Sequence, residues 1–188
     1  IQQLDIYDDL EQRGELSSPQ GPRAIRLLEG ADCVRDAADL KTFHERGVRV
    51  IALAWRGTRY AGGTGSPGPL TPEGREIVRE IDALKIIHDA SHLAEQSLRD
   101  LLDLAEGPII ASHSNCRAIV GHDPGERHLS DEMIRAIIQR GGIVGINAYD
   151  RFLLPHTEYG KRRATLTDVL AHIRHVCDIA GDARHVGI

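Results

Sequence analysis

The sequence predicts an α/β fold, a parallel sheet of about six strands with helices outside it, arranged as a (β/α)8 TIM-like barrel that is incomplete in this chain. Three observations lead there. Short apolar runs alternate with stretches of helical spacing along the sequence, the pattern of parallel strands joined by crossover helices. His92 and His113 each stand just after an apolar run, where a parallel barrel presents side chains at the carboxyl ends of its strands. A full barrel takes about 250 residues, whereas this chain has 188 and its sixth apolar run falls on its last residues. We expect residues 1–188 to form one partial barrel domain. The competing arrangement is an open doubly wound sheet, with its site at a switch point in strand order.

Each element has its own signal. Ala24 to Leu28 is a short apolar run, after which Val34, Ala37, Ala38 and Phe43 have helical spacing and Gly47 suits a helix end. Val48 to Ala54 is the second strand. Beyond a Gly-rich loop, Thr71-Pro72-Glu73 opens a helix with a hydroxyl cap and a first-position proline, and Ile77, Val78, Ile81 and Leu84 mark its buried face. Lys85 to Ile87 is the third strand. Leu98, Leu101, Leu102 and Ala105 form a stripe ended by Gly107, and Pro108 to Ala111 is the fourth strand. Ser130 caps a helix carrying Met133, Ile134, Ile137 and Ile138, followed by a strand over Gly142 to Ile146. A last helix from about Thr167 stops near Gly181 and leads into Val186-Gly187-Ile188.

Composition removes several function classes. With 41% hydrophobic and 27% charged residues the chain can bury a core, and a net charge of -5 with interspersed signs leaves no basic stripe for nucleic acid. No apolar run approaches the roughly 20 residues of a membrane helix, and the first residues lack the charged and apolar regions of a signal peptide. Cys33, Cys116 and Cys177 are odd in number and widely spaced, which argues against a disulfide framework or a Cys-based zinc site and for a soluble protein in a reducing, cytoplasmic compartment. Self-association into a homo-oligomer is compatible with all of this. The chain starts without Met, so we expect a processed protein or an internal piece of a longer one.

Candidate chemistry centres on three side chains. Glu29 closes the first apolar run, and with His92 and His113 it makes two neutral imidazole nitrogens plus a carboxylate, a donor set for a divalent metal. The plain competing readings are a hydrogen-bonded histidine and a carboxylate at a helix start. Other strings carry less. Gly63-Thr64-Gly65-Ser66-Pro67-Gly68 matches a dinucleotide fingerprint by letter, but Pro67 and Pro69 obstruct the helix it needs, and we read it as a loop. Lys161-Arg162-Arg163 reads as a solvated turn, and Cys116 as a buried structural thiol.

Five segments together carry a family resemblance. Leu28-Glu29-Gly30-Ala31-Asp32, Asp89-Ala90-Ser91-His92, Ala111-Ser112-His113-Ser114-Asn115, Glu126-Arg127-His128-Leu129-Ser130-Asp131-Glu132 and Gly145-Ile146-Asn147-Ala148-Tyr149 resemble, in order and spacing over nearly the whole chain, the landmarks of the membrane (renal) dipeptidase family of zinc peptidases. The resemblance implies a barrel of the metal-dependent hydrolase kind with a two-zinc site at its mouth, and hydrolysis of dipeptides by a metal-activated water. It implies that Glu29 bridges the two zincs, that His92 and His113 complete the second zinc site, and that Arg127 grips the substrate's terminal carboxylate. Tyr149 would lie near the pocket, and Asp89 would support the ligands from behind.

Departures from the family pattern set further expectations. The His-x-Asp pair that supplies two ligands of the family's first zinc does not occur upstream of Glu29. The family's catalytic Asp on the last strand would fall beyond Ile188. Where the animal enzymes use a His to polarise the scissile carbonyl, this sequence has Trp55, which would instead line the substrate pocket. We therefore expect two zincs in a complete enzyme but at most one, weakly held, by the ligands of this chain. A catalytically silent barrel piece or binding module with a partial metal site is the alternative.

Overall fold

Six parallel strands lie side by side in the order in which the chain makes them. The computed structural model describes residues 2–16 and 24–188. Strand β1 (Arg26–Glu29) pairs with β2 (Val48–Ala52), β2 with β5 (Ile87–Asp89), and β5 with β6 (Ile109–Ile110), all parallel. Ala111 then pairs with Val144, through Ala111 N to Ile143 O at 2.9 Å and Gly145 N to Ala111 O at 2.7 Å. This carries the ladder to β7 (Val144–Gly145), which pairs in parallel with β8 (Val186–Gly187). The order never reverses, so the sheet has no switch point. It is an arc of a barrel, and the doubly wound alternative fails.

Helices with sequence-encoded ends cover the outside. Helix α2 (Ala37–Glu45) starts where the Asp36 carboxylate accepts Asp39 N at 3.0 Å, and Gly47 behind it takes φ 84°, in the left-handed region. In α3 (Pro72–Ala83) the Thr71 hydroxyl accepts Gly74 N at 3.0 Å, and Ile77, Val78 and Ile81 are buried. Helix α4 (Glu95–Leu104) buries Leu98 and Leu101. Helix α6 (Asp131–Gln139), capped by Ser130, buries Met133, Ile134 and Ile137. Helix α8 (Leu166–Ala180) begins with a capping box between Thr165 and Asp168 and ends at Gly181 with φ 80°. Full burial of each large aliphatic chain contributes about 1.5–3 kcal/mol, so these apolar stripes hold the helices against the sheet. The buried residues of strands and helices join in one apolar cluster.

Several elements were not anticipated. Helix α1 (Gln2–Gln12) buries Leu4 and is joined to the elements that follow it by ion pairs. Arg26 reaches Asp8 at 2.6 Å and Glu11 at 2.7 Å, and Arg46 reaches Asp5 at 2.6 Å and Asp8 at 2.8 Å. Short helices α5 (Arg117–Val120) and α7 (Asp150–Leu153), and a 3-10 turn at His156–Glu158, lie in the connections after β6 and β7. Lys161-Arg162-Arg163 is only partly a solvated turn, because Arg162 is paired with Glu158 and Asp168.

Two expectations are corrected. The Gly-rich segment is an antiparallel hairpin, β3 (Ala61–Gly63) and β4 (Ser66–Leu70), rather than a loop. Its glycines allow close packing: a Cβ on Gly62 would overlap the Gly68 backbone, and Ser97 of α4 ties the two strands by accepting Gly62 N at 2.9 Å and donating to Gly68 O at 2.8 Å. The third strand covers residues 87–89, not 85–87. Lys85 turns at φ 58° as the chain leaves α3, so extended backbone begins later.

Gly74 tests the packing against the propensity rule. In an exposed helix Gly→Ala stabilises by roughly 1 kcal/mol, but a Cβ here would overlap the Tyr60 carbonyl oxygen, which also accepts Thr71 N at 2.9 Å. Gly74→Ala is therefore expected to lower the urea midpoint; a raised midpoint would show that α3 can shift away from Tyr60.

Candidate metal centre

Strand register aligns the first candidate. Glu29, Ala52, Asp89 and Ile110 are cross-strand neighbours in one row over β1, β2, β5 and β6. His92 and His113 each lie three residues beyond that row on adjacent strands, at the carboxyl-end mouth of the arc. Their rings converge on Glu29. His92 Nε2 is 3.1 Å and His113 Nε2 2.9 Å from Glu29 Oε1, and the two Nε2 atoms are 3.1 Å apart. Among the described residues these three are the group of His, Cys, Asp and Glu side chains that could share an ion. His92 reaches this position at φ 68°, a left-handed conformation uncommon outside glycine and typical of functional sites.

Hydrogen bonds hold the set from behind. Asp89 Oδ1 accepts Ser91 N and Ser112 N, both at 2.9 Å, and Asp89 Oδ2 accepts the Ser112 hydroxyl at 2.5 Å. The Ser112 oxygen lies 2.7 Å from His113 Nδ1. Thr64, at the hairpin tip, places its hydroxyl 3.1 Å from His92 Nδ1. Both outer ring nitrogens are thus engaged, and both Nε2 atoms face a carboxylate oxygen. Two imidazole nitrogens and a carboxylate oxygen facing one another at about hydrogen-bond range is a donor set that fits a divalent cation of the zinc class.

Electrostatics match that chemistry. Burial, then the Arg127 charge and His113, pushes the His92 pKa down to about 3, so the ring stays neutral, the form that binds metal. Arg127 is only 5% exposed. Its Nη2 donates to His113 O at 2.6 Å and its Nη1 to Ser114 Oγ at 3.1 Å, while its guanidinium carbon sits 5.1 Å from the Phe152 ring centre. Burial lowers the Arg127 pKa to about 10, with Asp89, Glu29 and Asp123 opposing that shift. Its Nε is buried and has no partner.

The remaining candidates lie at the rim. Trp55, just beyond β2, is 57% exposed and its ring centre is 5.5 Å from that of His92. Tyr149, 53% exposed, stacks edge-on against Phe152 at 5.0 Å, one ring removed from Arg127. Sequence reading missed Thr64 and Ser112 as ring partners. It also missed the reciprocal pair in which Asn115 Nδ2 donates to Asn147 O and Asn147 N donates to Asn115 Oδ1, both at 3.1 Å, joining the connections after β6 and β7. Hydroxyls are too common for composition to single these out, although Ser112 adjoins His113. Cys116 is buried as expected, its thiol pushed up to about 12 by desolvation.

Buried neutral histidines give the fold a pH signature. His92 near 3 and His128 near 4, both lowered chiefly by burial, lie below the roughly 6.5 of an unfolded histidine. Between those limits the unfolded chain binds protons that the folded chain does not, so each such group removes up to roughly 1.4 kcal/mol of stability per pH unit as pH falls. The urea midpoint of metal-free protein is expected to drop between pH 6.5 and pH 5, and less steeply for His92→Gln. An equally steep drop in that variant would show that His92 protonates freely in the folded state.

Comparison with known proteins agrees with this architecture. The model of the membrane dipeptidase family, peptidase family M19, matches residues 7–188. An uncharacterized dipeptidase of Schizosaccharomyces pombe is 29% identical over 181 residues, covering 94% of this chain and 41% of the relative. Dipeptidase tcpJ of Claviceps purpurea is 31% identical over 180 residues, covering 93% and 39% respectively. A metallo peptidase from Rhodobacter sphaeroides, liganded with a phosphinate mimic of the dipeptide L-Ala-D-Ala, superposes with a TM-score of 0.79 at 29% identity, covering 98% of this chain and 52% of that one. The metallo peptidase dipeptidase AC gives a TM-score of 0.77 at 30% identity, covering 98% and 54%. The chain thus spans between about two fifths and just over half of these relatives. A match from Tyr7 to Ile188, on a barrel arc with a candidate ligand set at the mouth, means that the chain belongs to the membrane dipeptidase family, peptidase family M19.

Proposed function

We propose that this chain is part of a zinc-dependent dipeptidase that hydrolyses the peptide bond of dipeptides. The observation that carries the reading is the attachment of Arg127 to the ligand cluster: its guanidinium is hydrogen-bonded to the carbonyl of His113, whose ring faces Glu29 and His92. A carboxylate-binding cation and a metal-binding set then sit at a fixed short separation. A substrate satisfies both only if its free carboxylate lies close to its scissile bond, as in a dipeptide. The Rhodobacter relative's ligand, a mimic of L-Ala-D-Ala, supports the same substrate class.

Glu29, His92 and His113 would hold the ion. When bound there, zinc supplies Lewis-acid polarisation of a carbonyl and a water acidic enough to attack near neutral pH. The chain's own residues do the rest. Burial keeps His92 neutral and its Nε2 lone pair available. Arg127 has donors left after its bonds to His113 and Ser114, its buried Nε among them, and these orient the substrate carboxylate by charge-assisted bonds. Asp89 fixes the ligand-bearing strand ends, while Trp55 and Tyr149 line the open side against the substrate's side chains. No helix among the described residues is long and apolar enough to cross a membrane; with free Cys33, Cys116 and Cys177, we place the protein in the cytoplasm.

The reading makes separable predictions. In the intact enzyme, His92→Ala should abolish hydrolysis, whereas Arg127→Ala should raise KM by about ten- to hundredfold, the worth of a charge-assisted hydrogen bond, and should remove the preference for dipeptides over their C-terminal amides. Equal hydrolysis of the amides by the unaltered enzyme would sink the carboxylate clamp. With three donors at the site, the chain by itself should take up at most one zinc, weakly. Equilibrium dialysis finding two tightly held zincs would refute that count.

A further inference from the structure

Neither ring nitrogen of a histidine is marked as donor by position alone, yet the hydrogen bonds around His113 leave one solution for Nδ1. The Asp89 carboxylate accepts only, so at 2.5 Å the Ser112 hydroxyl must donate to it. That uses the only Ser112 proton. At 2.7 Å from His113 Nδ1 the same oxygen must then accept, which puts a proton on Nδ1; in the neutral ring the Nε2 lone pair then faces Glu29 and His92. Ser91 closes the account: its oxygen accepts His113 N at 3.0 Å and lies 3.4 Å from the Ser112 oxygen, to which it can donate. We propose that Ser112 is a positioning residue that fixes the tautomer and the orientation of His113, presetting its Nε2 as a metal ligand.

His92 provides an internal contrast. The Thr64 hydroxyl at its Nδ1 is backed only by the His92 carbonyl at 3.5 Å. A hydroxyl so placed can donate or accept, so Thr64 by itself does not set the His92 tautomer. The two candidate ligands therefore differ: the hydroxyl at His113 Nδ1 has a fixed role, and the hydroxyl at His92 Nδ1 does not. Removing the Ser112 hydroxyl also leaves Asp89 held by the backbone N–H groups of Ser91 and Ser112, so Ser112→Ala cuts the link to His113 while the turn keeps its anchor.

The consequence for metal affinity rests on the zinc-site reading proposed above; the tautomer does not. In metal-free protein at pH 8, with 15N-labelled histidine, we expect His113 to show a protonated Nδ1 and an unprotonated Nε2. Ser112→Ala should shift His113 towards the Nε2-protonated form, Ser112→Thr should restore the original pattern, and Thr64→Val should leave His113 unchanged. Zn2+ affinity should fall about 10–100-fold in Ser112→Ala and recover in Ser112→Thr. A His113 protonated on Nε2 in the unaltered protein overturns the proposal, whatever the variants do. So does a Ser112→Ala protein with an unchanged 15N pattern. A preset His113 in a protein that binds no Zn2+ at all would uphold the tautomer assignment while refuting the metal-centre reading.

Discussion

Parallel pairing in unbroken chain order is the constraint on which the rest of this structure depends. It sends every strand of the arc in the same direction, so every one of them ends at the same rim, and the register of the pairs decides which residues stand there together. Glu29, Ala52, Asp89 and Ile110 share one row. Given that row, His92 and His113 at equal offsets beyond Asp89 and Ile110 must emerge side by side. A one-residue slip between β5 and β6 would turn one of these strands' faces the wrong way and separate the rings.

The rim concentrates polar groups where the interior would otherwise exclude them. Asp89, Arg127 and His92 are all buried there, and each is tolerable only because its neighbours are arranged for it. Asp89 receives two backbone N–H groups and a hydroxyl. Arg127 is surrounded by the charges of Asp89, Glu29 and Asp123 and rests on Phe152. His92 gives up its charge altogether. The loop carrying Arg127 is in turn tied down: Glu126 Oε2 accepts Glu95 N at 2.8 Å, serving the start of α4, which has no side-chain cap of its own. Gly125 O accepts Gly65 N at 2.8 Å, joining that loop to the hairpin whose Thr64 meets His92. The proposed carboxylate clamp and the support of the candidate ligands therefore share one scaffold.

Much of the arc was legible because its signals are local. Thr71 and Ser130 cap helices where hydroxyls preceding apolar stripes predict caps, and the six apolar runs all became strands. What escaped depends on partners distant in sequence. Among its described residues helix α1 buries Leu4 alone, so its apolar signal is weak, and its ion pairs with Arg26 and Arg46 join residues far apart in sequence. The Gly-rich hairpin looked like a loop because Pro67 and Pro69 obstruct the helix that a dinucleotide fingerprint needs. The observed pairs, Ala61 with Leu70 and Gly63 with Ser66, make no demand on either proline, and Leu70 N finds Asp100 at 3.0 Å instead. The cluster of Glu29, His92 and His113 was itself readable from strand ends and resemblance. The groups that orient it were not, since a serine or threonine becomes meaningful only once its neighbours in space are known.

That difference also explains how the site divides its work. Ligand identity is a matter of residue type at a strand end, and sequence carries it. Ligand readiness depends on where protons sit, which is settled by chains of donors and acceptors that cross strands. His113 is joined to such a chain through Ser112 and Asp89, a carboxylate on the neighbouring strand. His92 instead depends on a hairpin tip and on burial. One candidate ligand is anchored through the sheet and the other through an insertion. Arg127 is tied to the first of these through the His113 carbonyl, so the proposed carboxylate clamp and that candidate ligand are referred to the same part of the sheet.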